Sequence, residues 1–401
     1  MNVTIVGGGF GGVKAALELA RDKNNKVHLI TDKPDFQYYP ALYSSATGHS
    51  HLESWVPLGT IFADFHHIHV SIDSIEKIII DKKKLIGASG VEYGYESCII
   101  ALGSVTTYFG IKGLDTYAYG IKSEDEIRRL KQHLYSDIAE NRHVDKHYVV
   151  VGGGPTGVEL SAALGSYIHR LCRKYGINDP RIKIKLIEAA PRILPKMSEK
   201  TSRKVQKRLE RLGVSVMAGM KVESASANDV KVSGKSIDSR TVIWTSGVAN
   251  HPFFKQNEAA FTLAPNGRVA VDDYMMAAKD VYVIGDNAAT PYTGLAQTAL
   301  HDAIFVAANL KRKQAGKMAK KYKAVAPPVV VPVGSRWAVF EWHGIRIYGL
   351  IGALLRRAAD FIGYNDMLPI GQALGVWRAS TVMEDDYFTP TPRERNSKHR
   401  A

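Results

Sequence analysis

A chain of 401 residues, 45% hydrophobic and 23% charged, is long enough for two or three ordinary domains, each burying its own core. That composition excludes intrinsic disorder and a membrane-embedded bundle. A formal charge of +14 points toward anionic surfaces (nucleic acid, acidic lipid, phosphorylated small molecules) without choosing among them.

The first predicted element is a short buried strand, Asn2-Val3-Thr4-Ile5-Val6, which runs straight into glycines. It leaves no space for a signal or transit peptide, so the protein is expected to stay where it is made. Gly7-Gly8-Gly9-Phe10-Gly11-Gly12 then reads as Gly-x-Gly-x-x-Gly, followed by a helix from Val13 to about Arg21. In such a turn Gly7 permits the tight bend, Gly9 lets backbone approach a pyrophosphate, and Gly12 lets helix pack on strand. The next strand, Val27 to Thr31, ends at Asp32, twenty residues after Gly12, where a carboxylate can accept the hydroxyls of an adenosine ribose. A lone glycine turn is weak evidence. Strand before, helix after and acid at this distance together make it strong.

Ser123-Glu124-Asp125-Glu126 is a capping box opening a helix with Ile127, Leu130, Leu134 and Ile138 on one face. A second strand-turn-helix follows: Tyr148 to Val151, then Gly152-Gly153-Gly154-Pro155-Thr156-Gly157, with the helix continuing to about Tyr175. Its second strand, Ile182 to Ile187, ends in Glu188, the counterpart of Asp32. Two such units imply two dinucleotides. An acid at Glu188 disfavours a 2′-phosphate and so favours NADH over NADPH, although Arg192 lies near. A nicotinamide beside a second dinucleotide suggests hydride transfer to a flavin, hence FAD and NADH as cofactors. Further on, the chain returns to the first domain near Asn266-Gly267, before an expected strand Arg268-Val269-Ala270-Val271. Val281-Tyr282-Val283-Ile284-Gly285-Asp286 is then a strand ending in Gly-Asp, which can set Asp286 on a polyol such as a ribityl chain or be a plain turn.

The chain holds two cysteines, Cys98 in an apolar run and Cys172, with no Cys-x-x-Cys spacing. That excludes a disulfide framework and a cysteine zinc site, and no metal is expected. From Ala303 to Phe340 there is no acidic residue, while seven lysines and arginines cluster between Lys311 and Lys323. A solvated basic helix and loop is the plain reading of that stretch. From Ile345 to Gly363 apolar residues recur at helical spacing, predicting one amphipathic helix that either packs on the protein or docks on a membrane surface. No run of about 18 apolar residues predicts a spanning helix.

The order of these motifs resembles the flavoproteins with two dinucleotide-binding domains, and among them the type II NADH:quinone oxidoreductases. The resemblance runs from Asn2 to about Tyr387. Besides the two glycine turns it is carried by Phe36-Gln37-Tyr38-Tyr39-Pro40-Ala41-Leu42-Tyr43, Ile100-Ala101-Leu102-Gly103-Ser104, Glu159, Trp244-Thr245-Ser246-Gly247-Val248, Gly285-Asp286 and Ala296-Gln297-Thr298-Ala299. It implies an α/β fold of two Rossmann-like domains, the NADH domain (116–264) inserted in a discontinuous FAD domain (1–115 and 265–325). A C-terminal helical membrane-docking segment (326–390) and a disordered tail (391–401) follow.

The same resemblance implies that Gly7, Gly9, Gly12, Asp32 and Asp286 hold FAD, with Pro40 near its ring system, Ala296 also binding cofactor, and Gly103 and Gly247 at the domain crossings. Gly152, Gly154, Gly157 and Glu188 would hold NADH, and Glu159 would lie near the nicotinamide on a proton path. On the residues alone Glu159 is equally a solvated first-turn carboxylate favourable to the helix dipole. Gln297 and His301 would serve the quinone; His301 stands where the family tends to carry a second glutamine.

The implied activity is non-pumping NADH dehydrogenation, with hydride passing to FAD and two electrons on to a membrane quinone. The expected setting is cytoplasmic, peripheral on the inner face of the cell membrane, in contact with anionic lipid and with room for a homodimer. A soluble NADH-dependent flavoprotein reductase and a flavin-binding redox sensor are the alternatives. No aromatic-and-basic recognition motif is visible, so nucleic acid is not an expected partner. Electrons must leave the flavin without a thiol relay, because neither cysteine falls where sulfide:quinone or disulfide reductases need one.

Overall fold

The structure is a computed structural model describing residues 1–178 and 181–385. The expected tail, 391–401, and the end of the 326–390 segment lie outside the described residues.

The apolar run at the start of the chain becomes the strand Asn2–Val6, with Val3, Ile5 and Val6 fully enclosed. It is the middle of a six-stranded sheet ordered Met276–Ala278, Val281–Val283, Ser97–Ile100, Asn2–Val6, Lys26–Thr31, Ile68–Ile72. All neighbours are parallel except the outermost pair, Met276–Ala278 with Val281–Val283. A parallel sheet is covered on both faces, which is why its strands read as nearly continuous hydrophobic runs. Cys98 lies inside one of them. Strand order reverses at Asn2–Val6: the following strand pairs on one side and Ser97–Ile100 on the other. Such a switch point leaves a crevice beyond the carboxyl end of the central strand.

A second, all-parallel sheet repeats the plan in the order Ala118–Tyr119, Thr241–Trp244, His147–Val151, Lys183–Glu188, Val214–Ala218. Its switch point falls at His147–Val151. Between the two sheets the chain passes twice, and the passing segments Ser104–Thr106 and Val248–Asn250 pair antiparallel. The predicted capping box is present: Ser123 Oγ accepts from the Glu126 amide at 3.2 Å and Glu126 Oε2 accepts from the Ser123 amide at 3.2 Å. Ile127, Leu130, Leu134 and Ile138 are all buried behind it.

Two expectations fail. Arg268 to Val271 forms no strand; Val269 makes isolated bridges to Leu263 and Ala288, its own backbone bonded to Asn287 and Ala289 while the flanking Arg268 and Ala270 bond to Ala264 and Thr262. The helix expected from Ile345 to Gly363 begins only at Leu350. Ile345–Gly349 is instead the last strand of an antiparallel sheet with Val329–Pro332 and Ala338–Trp342. A two-residue hairpin, His343-Gly344, joins the last two strands, and both of its residues have positive φ, as a primed turn requires. Ile345 and Ile347, two apart, fit a strand, but Ile347 also leads Leu350, Ile351 and Leu354 at helical spacing, and the hairpin decides for the strand. After it come the helices Leu350–Asn365 and Ile370–Ala379.

Candidate functional site

Each glycine turn lies at a switch point. Gly7 has φ +108°, and a Cβ there would fall 2.3 Å from the Ala101 carbonyl oxygen; one on Gly12 would fall 1.8 Å from the Gly7 oxygen. The second turn repeats the positive φ and the packing of glycine on glycine, with Gly152 at φ +115°, where a Cβ would meet the Ser246 hydroxyl, and Gly157 packed on the Gly152 oxygen. The middle glycines behave differently: a Cβ on Gly9 or Gly154 would meet nothing within 4 Å. These two open positions are the N-caps of the helices Phe10–Ala20 and Pro155–Lys174, and neither helix has a side-chain cap or an acid in its first turn. Open space facing uncapped amides fits a pyrophosphate at each turn.

The acids after the second strands differ in state. Asp32 is exposed. Glu188 reaches back over its own turn, its Oε2 accepting from the Gly153 amide at 2.6 Å and its Oε1 from the Ala190 amide at 2.7 Å. Arg192 is turned onto the carbonyls of Leu194 and Pro195 at 3.0 and 2.7 Å, so the guanidinium has bonds that a 2′-phosphate would have to displace.

Asp286 is held by neighbours the sequence did not reveal. Ser104 Oγ donates to its Oδ2 at 2.6 Å, and Lys122 Nζ donates to that same hydroxyl at 2.8 Å. Burial pushes the Lys122 ammonium down to about 8, against the opposing pull of Asp286 and Glu126. Asn287, fully buried, takes the Gly103 amide at 2.9 Å and donates to the Gly103 and Asn250 oxygens, pinning both passing segments beside Asp286. Gly247, at φ +81°, immediately precedes the second of these segments. Asp302 accepts from the Gly285 amide at 3.0 Å and from the Tyr322 hydroxyl at 2.6 Å, fixing the turn itself.

Ala296 and Gln297 open the helix Ala296–Gln314, whose N-terminus also lacks a side-chain cap; Gln297 is exposed. His301, one turn on, hydrogen-bonds through Nε2 to the Lys323 carbonyl at 2.9 Å, and its ring packs near Tyr322. The structure therefore gives His301 a partner within its own fold.

Glu159 does not have the solvated setting that residue reading allowed. It lies on the fifth position of its helix, only 8% exposed, against Arg356 of the helix Leu350–Asn365. Arg356 joins distant parts of the chain: Nη1 to Glu159 Oε1 at 3.3 Å, Nε to Asp360 Oδ2 at 2.9 Å, and Nη2 to the Pro40 carbonyl at 2.7 Å. Burial pushes the Glu159 carboxyl up to about 8; Arg356 pulls it back only in part, because that guanidinium is shared with the closer Asp360. Tyr38 donates to Asp360 at 3.2 Å and its ring lies tilted against that of Tyr364, centroids 4.2 Å apart; the Tyr364 hydroxyl donates to the Glu53 carbonyl at 2.6 Å.

Pro40, Glu53, Arg356 and Asp360 share a cavity of about 700 Å³, which Leu350 and Leu354 also line. Sequence reading missed Arg356, Asp360 and Glu53. The one local signal was an arginine and an aspartate four apart on a largely apolar helix. Cys98 and Cys172 are both buried, with thiols pushed up by burial, so neither is a ready nucleophile. Among the described residues no group of three or more His, Cys, Asp or Glu is placed to hold a metal.

The chain is similar over 381 residues to a type II NADH:quinone oxidoreductase of Staphylococcus aureus, at 27% identity, covering 89% of this chain and 94% of that one. A Staphylococcus epidermidis protein of the same name matches at 26% with the same coverage. Among solved structures, NDH2 from Plasmodium falciparum in complex with NADH superposes with a TM-score of 0.83 at 18% identity, covering 97% of this chain and 99% of that one. The sulfide:quinone oxidoreductase of Aquifex aeolicus gives 0.75 at 18% identity, covering 90% and 89%. At those identities the structural likeness speaks for the fold, two dinucleotide-binding units of Rossmann type. The family model for the pyridine nucleotide-disulphide oxidoreductases matches residues 1–303, and with that match over most of its length the chain belongs to this family.

Proposed function

We propose that the protein is an FAD-dependent NADH:quinone oxidoreductase, of the kind named for its staphylococcal relatives. The observation that carries the reading is the pair of open, uncapped glycine turns in one chain, with the two passing segments pinned together beside Asp286. One turn would hold the FAD adenosine diphosphate through Gly7, Gly9, Gly12 and Asp32, with Asp286 on the ribityl chain. The other would hold NADH through Gly152, Gly154, Gly157 and Glu188. In this reading the FAD-binding domain is 1–115 with 265–325, and the NADH-binding domain is 116–264.

When bound, FAD supplies a centre that accepts hydride from NADH and yields two electrons to the quinone. The chain's own residues position the reactants and handle the proton. Glu159, buried and raised to about 8, holds a proton near neutrality within reach of Arg356. Arg356 fixes the Pro40 carbonyl and so the loop that would lie against the flavin. Gln297 is the residue we assign to the quinone.

Docking on the inner face of the cell membrane belongs to the same proposal. No described helix is long and apolar enough to cross a membrane. The helix Leu350–Asn365 leaves Leu350, Ile351, Leu354 and Ile362 each about 60% exposed, and Ile370 on the next helix 69% exposed. A contiguous apolar face of this kind suits a lipid surface.

The test is an absorbance spectrum of the purified protein, followed by anaerobic NADH and then a soluble menaquinone or ubiquinone analogue. Flavin bands bleached by NADH and restored by the quinone are expected. Bleaching without restoration would place the acceptor elsewhere, and absence of flavin would overturn the reading.

A further inference from the structure

Reduction of a quinone to a quinol takes two electrons and two protons, whereas NADH delivers a hydride, which is two electrons and one proton. The protein must therefore pass on one further proton for each turnover, and the proposed function, on which this inference rests, gives Glu159 a proton beside Arg356 but names no group that hands one to the quinone. Glu159 is one acid in the region, but it is tied to Arg356.

A second acid faces the shared cavity. Glu53 is 3% exposed and lines the cavity together with Pro40, Arg356 and Asp360. One carboxyl oxygen, Oε1, is wholly enclosed and has no hydrogen-bond partner among the described residues. The Ser44 hydroxyl hydrogen-bonds to the carboxyl, Asp360 and Glu384 act on it as like charges, and Arg356 as the opposite one. An ionised carboxylate in that position would be a buried charge with an orphan oxygen, which is costly. A protonated one is neutral and has an O–H to offer. Burial accordingly pushes Glu53 up to about 8. The cavity wall also includes Leu350 and Leu354, which belong to the exposed apolar face, so a lipid-soluble acceptor would enter along the surface that leads to Glu53.

We propose that Glu53 supplies this proton to the quinone across the cavity between the segment Pro40–Glu53 and the helix Leu350–Asn365. The Glu53 O–H bond breaks and a quinone O–H bond forms. The electron pair stays on the carboxylate, which takes its next proton from water. Positioning comes from the backbone: Tyr364 holds the Glu53 carbonyl at 2.6 Å.

The experiment compares wild-type holoenzyme with Glu53→Gln, using NADH with a soluble menaquinone analogue and, separately, with ferricyanide, which takes electrons without protons. Glutamine keeps shape and neutrality, so flavin content and bleaching by NADH should be retained. Quinone turnover should fall by about a hundredfold while ferricyanide turnover stays near wild type. Glu53→Asp, which keeps the proton on a shorter arm, should recover part of the quinone rate, and it carries the test if Glu53→Gln does not accumulate. Quinone turnover undiminished in the variants, or lost in step with ferricyanide turnover, overturns the proposal for Glu53 alone. A wild type that is bleached by NADH but reduces no quinone overturns the functional reading, and this inference with it.

Discussion

The two glycine turns and the Arg356 cluster are built on opposite plans. Each turn is assembled within one strand-turn-helix unit, its parts a few residues apart, and the second repeats the first down to the glycine packed on the oxygen five residues before it. The cluster draws Glu159, Pro40, Tyr38 and Glu53 together around Arg356, Asp360 and Tyr364. The turns are rigid because backbone meets backbone; the cluster holds because one planar guanidinium satisfies several acceptors at once. Damage to a turn should therefore be local and complete, whereas damage to the cluster should spread into both stability and chemistry.

The largest effect expected is from Gly12→Ala. The added methyl would meet the Gly7 oxygen at 1.8 Å, backbone that cannot yield, so the purified variant should carry no flavin by absorbance. Bound flavin at wild-type occupancy would break the distinction between the regions.

Arg356→Met comes next. It takes the ion-pair partner from Asp360 and the guanidinium donor from the Pro40 carbonyl, and loss of one partner from a buried pair should cost about 3 kcal/mol in chemical denaturation. Flavin should still bind, because the glycine turn is untouched.

A milder effect is expected from pH. Glu53 and Glu159 both move from 4.5 up to about 8 on folding, so the folded state binds more protons than the unfolded state between those values. Their contribution is fully present below pH 4.5 and is lost as pH rises through 8. The melting temperature should lose that contribution across this window, and the decline should be shallower in Glu53→Gln.

The smallest effect on stability is expected from Ile351→Ser with Ile362→Ser, both 61% exposed. Stability should change by no more than about 0.5 kcal/mol per site, while sedimentation with anionic lipid vesicles should drop sharply. Vesicle binding equal to wild type would remove the membrane from the proposal. These substitutions test docking more cleanly than removing everything after Pro328, since that deletion would also take away Arg356, Asp360 and Tyr364.

What the sequence determined by itself were the parts whose physics is local. A strand, a glycine turn and a helix dictate one another within about thirty residues, so both dinucleotide units, Asp32, Glu188 and the Ser123 capping box could be read before any fold was known. The hairpin at His343-Gly344 was equally local, but it was hidden because Ile347 stands at helical spacing to Leu350, Ile351 and Leu354 and so extended the helical pattern back into the strand. Tertiary structure decided the rest. The contacts of Arg356 with Glu159 and Pro40, of Tyr38 with Asp360 and of Tyr364 with Glu53 span 197, 316, 322 and 311 residues. No periodicity or spacing encodes such pairs. Glu53 looks like any surface glutamate along the chain, and it becomes a proton-holding acid only because folding removes its water and leaves one oxygen without a partner among the described residues.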